Sequence, residues 1–394
     1  MPAAASSGVG RRIAYYRRLN RLTQEDLARS ANVHVGTVRK IERGVRGVSD
    51  AVLDALAGAL EVDPSRLIAP AQIGDRLQDS LRALSAAIAT YDVPEAPPTR
   101  SLAEMGAAVD AAVSWRLQAQ YVRLAQHIPA LVADLAGALH SATGQDRART
   151  ARLLVAAYRA ADAVAYKQGA RDLSARLIEL MRWAATHADH GLLDSVVAYV
   201  RTETFFAARA HDAGLRALET AIDQAPRPTT FDAIAARGAL HMRAAVVAGR
   251  GGSKDSAFSH LQEATDLADQ IPEGVYEGTA FGPSSVRIHH VSVSVSLGNE
   301  HLGRALTLAR EWKPPRDEVP AERRSGFYIE LARAQLWAGH RDDAFESLKV
   351  ARRIAPQHTR EHPWVREDAA VLRRLLRADR ESLSHFAEWC NATE

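Results

Sequence analysis

The chain has one cysteine in 394 residues, Cys390. An internal disulfide is therefore excluded, and so is a thiolate cage for a structural metal. A single thiol fits the reducing cytoplasm, the expected location. Long apolar runs are missing. None approaches the roughly 18 residues that a membrane span needs, and Met1 to Gly10 lacks the charged-then-apolar order of a signal peptide. Lysine is scarce: Lys40, Lys167, Lys254, Lys313 and Lys349 are the five among 50 basic residues. Asparagine is scarcer, with Asn299 alone between Asn32 and Asn391. Catalytic signatures are missing too. No glycine loop precedes a Lys-Ser/Thr pair, no nucleophile sits in a recognisable elbow, and "REHPW" at Arg360 to Trp364 lacks the His-Glu-x-x-His spacing. His187 and His190 stand three apart, where a surface pair is the simpler reading. His289 and His290 are adjacent and point in different directions on a helix. No metal, no cofactor, no membrane and no enzymatic activity are expected.

What is present is length, helix pattern and an uneven charge. The length predicts two or three domains. Apolar residues make up 47% and charged residues 25%, ordinary for a globular chain. The net charge of +3 hides an asymmetry. Residues 1–46 carry ten Arg and Lys against Glu25, Asp26 and Glu42, a balance of +7; the rest therefore sums to −4. A basic end on a slightly acidic body is the electrostatic footprint of a nucleic-acid contact.

Helical spacing runs through residues 9–68. Ile13, Tyr16 and Leu19 or Asn20 recur at three to four residues and mark a first helix. Thr23, with Asp26 three residues on, is an N-cap signature for a second, whose apolar face carries Leu27 and Ala28. Asn32 suits the left-handed stop of a tight turn. A third helix spans about His34 to Arg43. Val38 and Ile41 form its buried stripe, and Val35, Gly36, Arg39, Lys40 and Arg43 point away. Ser49 is expected to cap a fourth helix bearing Val52, Leu53, Leu56 and Leu60, and "VDPSRL" reads as one further helical turn.

On these residues the segment resembles the Cro-type (XRE) helix-turn-helix family. Ile13, Arg17, Leu22, Thr23, Gln24, Leu27, Ala28, Val33, Thr37, Val38, Ile41, Glu42, Arg43 and Gly44 stand where that pattern expects such residues. The resemblance implies a five-helix domain whose third helix enters the major groove of double-stranded operator DNA. It places Val35, Gly36, Arg39 and Lys40 toward bases and Gln24 on a phosphate, with His34, Thr37 and Arg43 as backbone contacts. Three positions depart from the pattern. His34 replaces a Ser or Thr cap, Gly36 lowers helix propensity by about 1 kcal/mol relative to Ala, and Arg21 takes the place of a glycine, so that Asn20 or Arg21 must accept strain.

Ile73, Leu77, Leu81, Leu84 and Ile88 form one apolar helix face. It is free to pack on the first domain, on the body or on a twin. "VPEAPPTR" (93–100) then reads as a hinge. From Ser101 the chain is helix after helix. "VSVSVSL" (291–297) alternates like a strand but is read as helical from its flanks. Ala332, Gly339, Ala344, Leu348, Ala351 and Pro356 repeat the small and apolar positions of a tetratricopeptide (TPR) unit, and looser copies lie near Gly169, Gly214, Ala257 and Gly298. The predicted fold is all-α: a helix-turn-helix domain at 1–68, a linker helix and hinge at 69–100, and a TPR-like α-solenoid at 101–394.

The combination is similar to two groups. One is the actinobacterial XRE regulators with helical-repeat C-terminal domains, which "FGPSSVRIHHVSVSVSLGN" (281–299) also resembles, although they commonly carry Asn where Ser285 stands. The other is the peptide-sensing regulators of Gram-positive bacteria, whose grip on peptides by asparagine side chains the lone Asn299 argues against. The resemblance implies a homodimeric, DNA-binding transcriptional regulator tuned by a small-molecule or peptide effector. Arg201, Arg209, Arg243 and Arg287 are the candidate contacts for an acidic one. The competing reading is a scaffold that recruits a protein partner, with DNA binding secondary or lost.

Overall fold

The computed structural model describes residues 3–68, 70–94, 97–375 and 380–392. The first domain contains α1 (Ala3–Leu19), α2 (Gln24–Ser30), α3 (Val35–Glu42) and α4 (Asp50–Ala59). The fifth element is a single 3-10 turn, Pro64–Arg66. Ile13, Leu27, Val38, Ile41, Leu53, Leu56, Leu60 and Leu67 are the larger of the domain's fully buried side chains. Thr23 and Asp26 form the expected reciprocal box: the Thr23 hydroxyl accepts from the Asp26 amide at 3.1 Å, and the Asp26 carboxylate accepts from the Thr23 amide at 3.0 Å. Ser49 differs from expectation. It occupies the N-cap of α4 in extended backbone, but its hydroxyl makes no capping bond. The strain before α2 falls on Arg21, at φ 55°, and Asn32 takes φ 52°. A Cβ at Gly10 would collide with the Ile41 carbonyl, so the close crossing of α1 over α3 requires glycine there.

The linker helix α5 (Pro70–Ala89) packs on the body. Leu77, Leu81, Leu84 and Ile88 are buried in one cluster with side chains of α7 (Tyr121–Ser141). Ile73, which heads the same stripe, lies outside the residues whose side chains are described. So do Glu95 and Ala96 of the proline segment. The end of that segment is pinned: Asp134 of α7 accepts from the Thr99 amide at 3.0 Å and pairs with Arg100 at 3.1 Å.

The body continues with α6 (Leu102–Leu117), α8 (Gly144–Lys167), α9 (Arg171–Ala185), α10 (Leu192–Ala208) and α11 (His211–Gln224). Then come α12 (Phe231–Arg250), α13 (Lys254–Ala268), α14 (Pro283–Ser296), α15 (Leu302–Glu311) and α16 (Ala321–Trp337). The last are α17 (Arg341–Ile354), α18 (Pro356–Glu361), α19 (Pro363–Leu375) and α20 (Arg380–Trp389). From α6 to α16 each even-numbered helix packs on the next even one, and the odd helices flank them. This is a stack of helix pairs. Its inner layer is close because its contacts are small: Ala157, Ala160, Ala161, Ala244, Ala245, Ala332 and Ala334 have no exposed surface.

The stack curls until its ends meet. α16 touches α6. The Tyr121 hydroxyl donates to Glu322 at 3.0 Å, Lys167 reaches the same carboxylate at 3.2 Å, and the Val122 amide donates to Gln357 at 3.2 Å. Ala119, Tyr121 and Ala355 share a small buried cluster at the junction. The inner helices therefore surround a central space.

Residues 291–296 are helical, within α14. The alternation arises because α14 is buried on most sides, with Val291, Val293 and Val295 near zero exposure. Pro356 does not merely end α17; it opens α18 at its first position. One element escaped the sequence reading. A hairpin, β1 (Gly274–Tyr276) and β2 (Thr279–Phe281), is inserted between α13 and α14. Its two-residue turn puts Glu277 at φ 44° and Gly278 at φ 72°, the paired positive values of a tight hairpin turn. Phe281 is fully buried against Gly238 of α12, where an added Cβ would strike the ring.

Gly238→Ala should therefore lower stability by about 1–3 kcal/mol through overpacking. Gly106→Ala, which meets nothing within 4 Å on α6, should gain up to about 1 kcal/mol of helix propensity. Denaturant titration followed by circular dichroism measures both, and equal effects would refute this account of the hairpin's seat.

Candidate nucleic-acid interface and central cavity

α3 shows one face to its own domain and another to solvent. Val38 and Ile41 are buried, and Arg39, Lys40 and Arg43 are exposed. At about 100° per residue, Gly36, Arg39, Lys40 and Arg43 cluster on the outward side. Val35 lies at its edge and packs partly on the domain core. The His34 ring does cap the helix, accepting from the Gly36 amide through Nδ1 at 3.0 Å. Thr37 lies within reach of Arg46 at 3.5 Å. Arg39 meets Glu25 at 3.0 Å with both side chains half exposed or more, a pair weak enough to exchange for another anion.

Gln24 is placed by a network that the sequence did not reveal as one. Arg17 grips Glu42 with two bonds, Nε to Oε1 at 2.7 Å and Nη2 to Oε2 at 3.0 Å. The Gln24 amide donates to the same Oε2 at 2.7 Å, and Arg17 also reaches the Leu22 carbonyl. The ion pair is nearly buried, at 12% and 7% exposure. One carboxylate thus ties α1, the start of α2 and the end of α3 together, and bidentate geometry makes the tie rigid.

The domain meets the body through a different side. Arg123 of α7 donates to Asp54 of α4 at 2.8 Å and to its carbonyl at 3.3 Å, and His127 lies 3.2 Å from the same carboxylate. Burial raises the affinity of Asp54 for a proton, but the His127 bond and Arg123 outweigh it and leave it below the usual range. Arg66 donates to the Arg353 carbonyl at 2.8 Å. α4 and the 3-10 turn therefore face the body, and the outward residues of α3 are left exposed.

The central space is a cavity of about 620 Å³ lined by the inner helices. Arg243 is the one predicted effector contact that lines it. Arg201 stacks on Phe205, Arg287 stacks on Trp312, and Arg209 forms the left-handed cap of α10; none of the three lines the cavity. Helix spacing alone did not tell the inner face from the outer one. Sequence reading missed Arg116, Arg159, Arg250 and Arg323, which do line it, alongside Tyr199 and Phe206. Burial, then Arg116, lowers Arg159 to about 9. Burial works to raise the Tyr199 phenol, but Arg243, Arg323 and Arg159 outweigh it and bring it down to about 8. Burial pushes Glu330 up to about 7, and burial followed by Glu203 pushes Asp162 well above the usual carboxylate range. The hairpin tip stands between this cavity and a second of about 790 Å³. Its two carbonyls, Glu277 and Gly278, accept from Arg159 and Arg116.

Among the described residues no helix is long and apolar enough to cross a membrane, and no group of three or more acidic, histidine or cysteine side chains is disposed to hold a metal ion.

An exposed basic helix on a compact four-helix head, carried by a ring of helix pairs, defines a class: a helix-turn-helix head on a cavity-bearing helical-repeat body. Residues 13–67 match the family described as "Helix-turn-helix", and this segment is a domain of that kind. The match leaves the helical body outside it. No curated protein matches the chain. Among solved structures it is similar to the crystal structure of Bacillus thuringiensis PlcR in complex with the peptide PapR7 and DNA. The identity is 14% over 67% of this chain and 95% of that chain, with a TM-score of 0.30, too low for the two shapes to be called the same.

Two outcomes follow from the charges. Glu42→Ala leaves Arg17 without its counter-ion and should lower the stability of the head by about 3 kcal/mol, read as early melting of the head with the body intact; an unchanged melt would contradict the network. In the body, His241 and His260 meet at 3.1 Å between their Nδ1 atoms, and burial, then His260, pushes His241 down to about 4. The unfolded chain, with histidine near 6.5, binds that proton more readily. The stabilising contribution is complete above pH 6.5 and is lost as pH falls toward 4. In His241→Leu the loss of unfolding free energy between pH 7 and pH 4.5 should shrink by about 2 kcal/mol; an identical pH slope would contradict the assignment.

Proposed function

We propose that this protein is a sequence-specific, DNA-binding transcriptional regulator. The observation that carries the reading is the exposed basic face of α3 within a segment that matches the helix-turn-helix family. In this reading α3 lies in the major groove, with Val35, Gly36, Arg39 and Lys40 toward base edges. His34, Thr37 and Arg43 contact the backbone. Gln24 presents its amide and the start of α2 to a phosphate while Glu42 holds it in place. The protein acts as a homodimer on two half-sites about 34 Å apart or a multiple of that, in the cytoplasm and on the nucleoid. It works by binding rather than catalysis. A small-molecule or peptide effector enters the central cavity and shifts the balance between two arrangements of the heads, which requires different affinities for the two.

The test is a gel-shift titration on the DNA upstream of the protein's own gene. Replacing two groove-facing cations, each contributing about 1–3 kcal/mol, Arg39→Ala with Lys40→Ala should weaken binding by at least about tenfold and lessen its salt dependence, with the circular-dichroism spectrum unchanged. Equal binding by the variant would refute the reading. A co-purifying stoichiometric protein and no salt-sensitive DNA affinity would favour the scaffold instead.

A further inference from the structure

Three guanidinium groups in the central cavity converge on one phenol. Arg323 donates to the Tyr199 hydroxyl at 2.9 Å. The Arg243 guanidinium carbon lies 4.1 Å from the Tyr199 ring centroid, and that of Arg159 lies 5.5 Å from it. Tyr199 and Arg159 are buried, at 6% and 7% exposure.

Their hydrogen-bond partners are uncharged. Arg159 donates to the Glu277 carbonyl and the Thr279 hydroxyl, both at 2.8 Å. The remaining partner of Arg323 is Nε2 of His289, at 2.9 Å. His289 Nδ1 is 2.8 Å from the Ser285 carbonyl, so it carries the proton and Nε2 accepts; burial, then Arg323, holds that ring neutral. Arg243 has a buried Nε with no partner at all. Among the described residues no carboxylate bonds to any of the three: Glu203, which bears on Arg159, shares a hydrogen bond with Asp162 and leaves its Oε2 unpartnered, and the others are engaged elsewhere or held toward the neutral form. Glu322 is taken by Lys167 and Tyr121, Glu330 by Ser292, and Asp162 by Ser174. Glu273, which also faces Arg323, is bound by Ser285.

A guanidinium taken out of water costs several kcal/mol unless an anion answers it. A purely structural arginine in such a place is met by a carboxylate, as Arg333 is by Asp368 at 2.9 Å elsewhere in this body. Here three come together with no carboxylate bonded to any of them, Glu203, Glu273 and Glu322 acting only from a distance, around a space of metabolite size that is open enough to admit a ligand. Beside them Arg250 stacks on Phe206 and Trp364, giving the space an aromatic wall.

We infer that the cavity is an anion site, in which the carboxylate or phosphate group of a small organic acid is held by Arg159, Arg243 and Arg323, with its apolar part against Phe206 and Trp364. The inference rests on the effector reading of the cavity and names the chemical class that reading leaves open. Arg159 also holds the hairpin tip, so an acid that recruits it acts on the partition between the two cavities.

The experiment is a thermal melt of the full chain titrated with citrate, inorganic phosphate and pyrophosphate, each against sodium chloride of equal ionic strength. The site predicts that at least one raises the melting midpoint beyond the chloride control, growing with the logarithm of concentration. Whether citrate or the phosphates act identifies the acidic group. Arg243→Gln and Arg323→Gln should abolish the rise, and Arg201→Gln, outside the cavity, should keep it. Without added anion, Arg243→Gln should melt at or above the parent temperature, because an unanswered buried charge has been removed. Should it fail to fold, Arg243→Lys carries the same comparison with a weaker response expected. No rise with any of the three anions, or an equal rise in the cavity variants, overturns the inference. The variant with Arg39→Ala and Lys40→Ala keeps the anion response while losing DNA, so the two readings fail separately.

Discussion

The close approach of the inner helices sets the rest of this architecture. Alanines without exposed surface on α8, α12 and α16 let backbones approach where larger side chains would hold them apart. With that spacing the stack curls until α16 and α18 come back to α6 and α7, and Glu322 bridges the seam by taking both Tyr121 and Lys167. Closing the ring does two things. It converts a concave surface into a polar cavity lined from all around the ring and still open to solvent, and it fixes α7 as a platform. Onto that platform α5 lays its apolar stripe, and Arg123 of the same helix receives the helix-turn-helix head through Asp54.

Head and cavity are therefore joined through few elements. The head touches α7 through Asp54 and the carboxyl end of α17 through Arg66. α17 leads directly into α18, whose His358 lines the cavity. A change in how the seam closes reaches the head without crossing the whole body. The hairpin tip lines the same cavity and is held by arginines of α6 and α8.

Much of the head was legible in the sequence, because local chemistry determines it. Thr23 and Asp26 cap a helix wherever they stand three apart before an apolar run, and Asn32 marks a left-handed stop. Arg17, Gln24 and Glu42 were each recognised as pattern residues, but their convergence joins positions up to 25 residues apart, and spacing does not show such contacts. The helical character of the body was also legible from its period, and so was the pair α16–α17, from Ala332 to Ala351. The cavity residues were not. A solenoid's inner and outer faces both alternate polar with apolar, so Arg243 could not be told from Arg201 until the curl was known. The hairpin was hidden for another reason: three-residue strands carry too little pattern, and Glu277 with Gly278 is a weaker turn signal than an asparagine–glycine pair.

The central claim is that the exposed face of α3 reads duplex DNA while the closed ring holds the head. DNase I footprinting on the region upstream of the protein's own gene tests it most directly. The account predicts protected windows on one face of the duplex, spaced by a helical turn or a multiple of it. Cleavage that stays uniform along the fragment at every protein concentration would contradict it.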